Sequence, residues 1–165
     1  KDKFENLLKE FCNMLKETTI DHSLRATWQA VSKMYNEQAA RHNSTMATAF
    51  VLLNIDYENG TPSTALGPQM GMEPTSLSRI LKSMEEQGAI YREKNPEDGR
   101  SVLIKLTDFG KEKREISRQT VIAFNEKVRK HLSDEKLNHF FEVIEKINQL
   151  INDRAIFTDI NQKAI

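Results

Sequence analysis

Between residues 73 and 110 the apolar period changes from that of a helix to that of a strand, and few folds accommodate the change. Leu77, Ile80, Leu81 and Met84 recur at the three- and four-residue spacing that lines one face of a helix. Pro74 suits the first helical position, where its missing N–H leaves nothing unsatisfied. Gly88 suits the residue that ends a helix in the left-handed region. The spacing therefore predicts a helix over 74–87. Residues 89–94 and 101–106 read as strands, the second alternating Val102, Ile104 and Leu106 with polar residues. Asn95-Pro96-Glu97-Asp98-Gly99 between them is strong turn chemistry. A helix, then a hairpin with an exposed tip, is the only simple reading of this order.

The flanking segments are helical. Phe4, Leu7, Leu8, Phe11 and Leu15 give residues 2–18 an amphipathic pattern, and Leu24, Trp28, Val31 and Tyr35 repeat it over 23–41. Residues 45–56 are more apolar and should be buried. Asn59-Gly60 is a turn, after which Thr61-Pro62 resembles an N-cap and first helical residue of a short helix stopping near Gly71. Pro68 lies inside that helix and should bend or shorten it. Thr107-Asp108 caps a long helix to about residue 131. Ser133, with Asp134 and Glu135 behind it, caps the last helix. Leu137, Phe140 or Phe141, Ile144, Ile147 and Ile151 form a stripe there, near the 3.5-residue period of paired helices. Residues 155–165 read as a loose tail. The fold class is mainly α with a small β-hairpin.

The chain has 165 residues, the size of one domain with helical extensions. Its 24 basic and 24 acidic residues cancel, which counts mildly against a nucleic-acid partner. Their distribution counts the other way. Residues 42–73 contain no Lys or Arg, whereas Arg79, Lys82, Arg92, Lys94, Arg100, Lys105, Lys111, Lys113, Arg114 and Arg118 crowd into 74–118. Cys12 is the only cysteine, so no internal disulfide forms and a reducing compartment is expected. Its neighbours Phe11 and Met14 point to packing rather than redox chemistry. His22, His42, His131 and His139 lack the spacing of a metal pair, so no metal or other cofactor is expected. No apolar run approaches the ~20 residues of a membrane span, and no signal-peptide pattern is present. A soluble, cytoplasmic protein without membrane contact is the expectation. No nucleophile elbow or P-loop appears, so an enzyme is not expected.

A helix followed directly by a basic hairpin, behind two shorter helices, reads as the recognition helix and wing of a winged helix-turn-helix. Such a helix meets base edges with its first turns, here Thr75, Ser76, Ser78 and Arg79. Arg79 could grip guanine O6 and N7 together, and Lys82 is placed for a phosphate. Glu73 reads as an acid favoured by the helix dipole. Arg92, Lys94 and Arg100 flank the hairpin tip, where a narrow minor groove would attract an arginine. Asp98 could orient Arg100 or tie down the tip. The blander reading is a surface helix and a solvated hairpin. That reading explains the composition but not the order.

These residues carry a resemblance to the MarR (multiple antibiotic resistance regulator) family of bacterial transcription factors. The matching pieces are Asp98-Gly99-Arg100, Leu106-Thr107 with Gly110 three residues on, Pro74 to Arg79, and Met84 to Gly88. The resemblance implies N-terminal dimerisation helices over 1–41, a winged helix-turn-helix over 42–110, and C-terminal dimerisation helices and tail over 111–165. It implies a homodimeric repressor that binds a palindromic operator in double-stranded DNA and is modulated by a small aromatic or anionic effector. Arg25, Trp28, Met34, Tyr35 and Phe50 could line an effector pocket or belong to the dimer core. Gly67-Pro68 departs from the family pattern, and residues 1–18 make a longer N-terminal arm than is usual. The alternative function is a winged-helix module for protein contact with no specific operator, motivated by the neutral net charge and the acidic 42–73 stretch.

Overall fold

A computed structural model describes residues 5, 6, 9, 19–96, 98, 99 and 101–157. Apart from residues 5, 6 and 9, the helix expected over 2–18 with Cys12 lies outside the described residues, as do Arg100 and the end of the tail. The chain divides into two compact units, one running to Arg118 and the other starting at Gln119. The elements are α1 (Ile20–Ala40), α2 (Met46–Asn54), β1 (Thr61–Pro62), α3 (Ser63–Met70), α4 (Pro74–Glu86), β2 (Ile90–Lys94), β3 (Val102–Leu106), α5 (Asp108–Arg129) and α6 (Asp134–Asn152).

The first unit is built around one apolar core. Val51, Leu52 and Ile55 from α2 and its exit meet Leu66 of α3 and Leu77, Leu81 and Met84 of α4. Ile90, Ile104 and Leu106 close the core from the sheet, and Ile80 packs at its margin. The period-two pattern of β3 and the helical period of α4 thus point their apolar residues at one centre. The hairpin pairs Ile90 with Leu106, Arg92 with Ile104 and Lys94 with Val102.

Thr61 and Pro62 do not cap and open α3, as the sequence led us to expect. They form β1, which adds to β3 and makes the sheet three-stranded in the order β1-β3-β2. The reason lies in the Thr61 hydroxyl, which accepts from the Asp56 N–H at 2.8 Å and donates to the Asn54 carbonyl at 3.3 Å. It closes the preceding turn and is buried there, so it is not available to a helix N-terminus. Pro62 becomes the residue before the helix instead. Pro68 does not end α3, which continues to Met70. The proline removes one N–H, and the partner it denies is the carbonyl of Thr64, an exposed residue that water can reach.

The ends of α1, α3 and α4 share one device. The Ala89 N–H reaches back to the Met84 carbonyl at 2.9 Å around Gly88, whose φ of 71° an L side chain would strain. Met72 to Gly67 and Ser44 to Ala39 repeat the six-residue closure at 3.0 Å each. Helix α2 starts with the Thr45 hydroxyl accepting the Thr48 N–H at 3.1 Å. The start of α5 is tied to the hairpin base. The Thr107 hydroxyl accepts the Gly110 N–H at 3.0 Å and donates to the Gly88 carbonyl at 2.6 Å. Gly110 has to be glycine, since a Cβ there would lie 1.9 Å from the Ala89 oxygen.

Two cations of α5 serve structure. Arg114 donates from Nε to the Leu52 carbonyl at 3.1 Å and from Nη2 to the Leu53 carbonyl at 3.5 Å. Lys113 donates to the His42 carbonyl at 2.9 Å. Each satisfies carbonyls at the C-terminal end of a helix, where positive charge is favoured.

Both flanking helices keep apolar side chains in the open. On α1, Ile20, Leu24 and Trp28 are exposed at four-residue steps, Trp28 to 52 %. In the second unit, Ser133 caps α6 by accepting the Lys136 N–H at 3.4 Å. Of the expected α6 stripe, Leu137 is buried and Ile144 and Ile147 are half-buried, while Phe140, Phe141 and Ile151 are exposed.

Candidate nucleic-acid interface

Helix α4 has two faces of opposite character. Leu77, Leu81 and Met84 are sealed in the core, while Thr75, Ser76, Ser78, Arg79 and Lys82 are exposed. Pro74 sits in the first turn, and Glu73 precedes it without capping through its side chain. The first turn therefore presents N–H groups and hydroxyls outward, with Arg79 one turn on. Among the described residues Arg79 makes no ion pair.

The wing continues this surface. Arg92 and Lys94 alternate with Tyr91 and Glu93 along β2, and all four are exposed. The tip is tied through Ser101, whose N–H donates to the Asp98 carbonyl at 2.9 Å and whose hydroxyl accepts from the Asn95 amide at 2.8 Å. Asp98 thus supports the tip through its backbone.

Several cations already hold carboxylates. Lys82 lies 3.9 Å from Glu86, one turn along α4. Lys105 reaches Glu93 across the hairpin at 3.2 Å. Arg92 donates from Nε to Glu85 at 2.9 Å, joining β2 to the last turn of α4. An exposed pair such as Lys82–Glu86 contributes little to stability, so Lys82 can exchange its carboxylate for a phosphate. Apart from Arg100, which lies outside the described residues, the basic cluster read from the sequence therefore divides into three groups. Arg79 and Lys94 are unpaired among the described residues, Lys82, Arg92, Lys105, Lys111 and Arg118 are paired, and Lys113 and Arg114 cap helices. The cap expected at Thr107 is formed, on the Gly110 N–H. The sequence reading missed Glu85 and Glu93 as partners, and nothing in the order of residues pairs Glu85 with Arg92.

A groove of about 630 Å³ runs between α3 and the N-terminal half of α4, lined by Thr64, Pro68, Met72, Pro74, Ser78 and Arg92 among others. It opens on the same surface as Ser78. The candidate effector residues lie elsewhere, on α1 and α2. Tyr35 meets Phe50 edge to face at 6.3 Å between ring centroids, and burial pushes the Tyr35 phenol pKa up. Met34 is half-buried nearby in sequence, whereas Arg25 and Trp28 are exposed two or more turns earlier on α1. The structure joins Tyr35 and Phe50 and leaves Arg25 and Trp28 on the open part of that helix. Among the described residues no cluster of His, Cys, Asp and Glu could hold a metal, and no helix is long and apolar enough to cross a membrane.

Comparison with known proteins places this geometry. The family model described as MarR family matches residues 45–102, from the start of α2 into β3. The organic hydroperoxide resistance transcriptional regulator of Bacillus subtilis (strain 168) is 32 % identical over 101 residues, covering 61 % of this chain and 69 % of that protein. Among solved structures, CouR from Rhodococcus jostii RHA1, bound to p-coumaroyl-CoA, superposes with a TM-score of 0.71 at 21 % identity, covering 80 % of this chain and 93 % of that one. A MepR–DNA complex from S. aureus gives a TM-score of 0.73 at 16 % identity, covering 79 % and 97 %. At these identities the structural likeness establishes the fold.

Proposed function

The chain belongs to the MarR family of transcriptional regulators, and on that premise we propose that it is a homodimeric repressor that reads a palindromic operator in double-stranded DNA through α4 and the β2–β3 wing. The observation that carries the proposal is the division of α4, whose one face is sealed in the core while the other offers Thr75, Ser76, Ser78, Arg79 and Lys82 beside a basic wing. Hydroxyls and first-turn N–H groups suit phosphates and base edges. Arg79, free of ion pairs among the described residues, has the donor fork for guanine. Lys82, Arg92, Lys94 and Arg100 meet phosphates or the minor groove, with Asp98 supporting the tip. The solved MepR complex with DNA supports a nucleic-acid partner for this fold.

Dimerisation uses the exposed apolar residues of the flanking helices, Ile20, Leu24 and Trp28 on α1 and Phe140, Phe141 and Ile151 on α6. Buried between two copies, they build an interface of the obligate class, more than ~2,000 Å². An effector modulates DNA binding, as the CouR structure with p-coumaroyl-CoA supports. Arg25, Trp28, Met34, Tyr35 and Phe50 are the residues proposed to receive it, and an aromatic or anionic compound suits their chemistry. The protein acts in the cytoplasm, on the chromosome, and catalyses no reaction.

Titration of the protein onto double-stranded DNA at several salt concentrations tests this reading. Six phosphate contacts, from Lys82, Arg92 and Lys94 of each protomer, predict that log K falls with log salt at a slope of roughly −5. Binding that is weak and flat with salt would contradict operator reading and favour a protein-contact module.

A further inference from the structure

Glu85 carries no role in the interface described so far, yet it makes the one side-chain ion pair that joins α4 to the wing among the described residues. The carboxylate accepts from Arg92 Nε at 2.9 Å, and both side chains are about 40 % exposed, 39 % for Arg92 and 40 % for Glu85. Only Nε is engaged. The two terminal amino groups of the guanidinium have no partner among the described residues, so the planar fork that suits a phosphate is intact. Arg92 also lines the groove beside Ser78 and Pro74, on the surface assigned to DNA. We propose that Glu85 is a positioning residue for DNA recognition: it holds Arg92 by its Nε edge and presents the remaining fork to a backbone phosphate between recognition helix and wing.

The inference rests on the operator-reading function above, and the two fail in distinguishable ways. A long arginine that is already oriented loses less freedom on binding than a mobile one. Simple electrostatics predicts the opposite sign, because deleting a carboxylate near phosphates should tighten binding. The probe is a duplex that the parent protein enriches from a random-sequence pool. Glu85→Ala should weaken its binding roughly threefold to tenfold. Glu85→Gln, whose amide oxygen still accepts the Nε–H, should bind at least as tightly as the parent. In an Arg92→Ala background, Glu85→Ala should cause no further loss. Arg92→Lys, which keeps the charge and removes the fork, provides the same test should Glu85→Ala fold poorly in a thermal melt, and it should also weaken binding. Glu85→Ala binding as tightly as the parent, a Glu85→Ala loss that persists undiminished without Arg92, a Glu85→Gln loss as large as that of Glu85→Ala, or parental affinity in Arg92→Lys would each overturn the inference alone. A parent that enriches no duplex would overturn the function itself, and the inference with it.

Discussion

On the proposed function, single side chains divide into those that would meet DNA and those that hold the fold. Arg79 stands on the exposed face of α4 without an ion pair among the described residues. Arg79→Ala should relax preference at one base pair per half-site, by about 1–3 kcal/mol in discrimination, measured by competition between duplexes differing at single positions. Gly110 holds. A methyl there would meet the Ala89 oxygen at 1.9 Å, and backbone on both sides cannot give way cheaply. Gly110→Ala should destabilise the first unit by about 3 kcal/mol, the upper end for overpacking, read from denaturant unfolding. The exposure of Arg79 was legible in the sequence, because helical spacing places it on the polar face of α4, whereas Gly110 stood out only as a piece of the family resemblance, three residues after Thr107. The pairing of Glu85 with Arg92 was not legible. A seven-residue separation that crosses a glycine turn carries no periodic signal, and only the fold brings the two together.

At the level of elements, local chemistry decided most boundaries. Proline at the start of α4, glycine at its end, and serine before α6 all act within a few residues of chain, so their effects could be read in order. Strand β1 could not be read in this way. Two residues show no alternation, and Thr61 looks like a helix cap until the turn that consumes its hydroxyl is known. The roles of Lys113 and Arg114 were hidden for a related reason: their acceptors lie far back in the chain, at the ends of α1 and α2. Arg114→Met keeps much of the aliphatic bulk but abandons the Leu52 and Leu53 carbonyls. It should cost about 1.5–3 kcal/mol, the range for a hydrogen bond from a charged group, with faster amide exchange at the end of α2. The turn before β1 carries an acid-sensitive element. The Asn59 and Glu58 N–H groups both donate to the Asp56 carboxylate and hold its pKa below the usual value. A depressed pKa means its contribution is complete at neutral pH and disappears only as pH falls through the lowered value. Amides of this turn should therefore stay ordered through mild acid, and Asp56→Asn should remove the acid dependence seen by NMR titration.

For the whole molecule, the winged helix-turn-helix is self-sufficient and the flanking helices are not. The core formed by α2, α3, α4 and the sheet buries its apolar residues within one unit, while Trp28 on α1 and Phe140 on α6 remain more than half exposed. A second copy that covers them makes stability depend on protein concentration. The thermal midpoint should rise with protein concentration, and Trp28→Glu should yield a monomer with weakened DNA binding, followed by sedimentation. Zero net charge does not oppose this account, because exposed ion pairs such as Lys82–Glu86 exchange readily for phosphate. The central claim is that two copies read DNA by symmetry through α4 and the wing. It is tested most directly by selecting bound duplexes from a random pool at near-physiological salt and sequencing them. The account predicts a two-fold symmetric motif with half-sites about one helical turn, ~34 Å, apart. Recovery of unenriched DNA, or of a motif without two-fold symmetry, would contradict it.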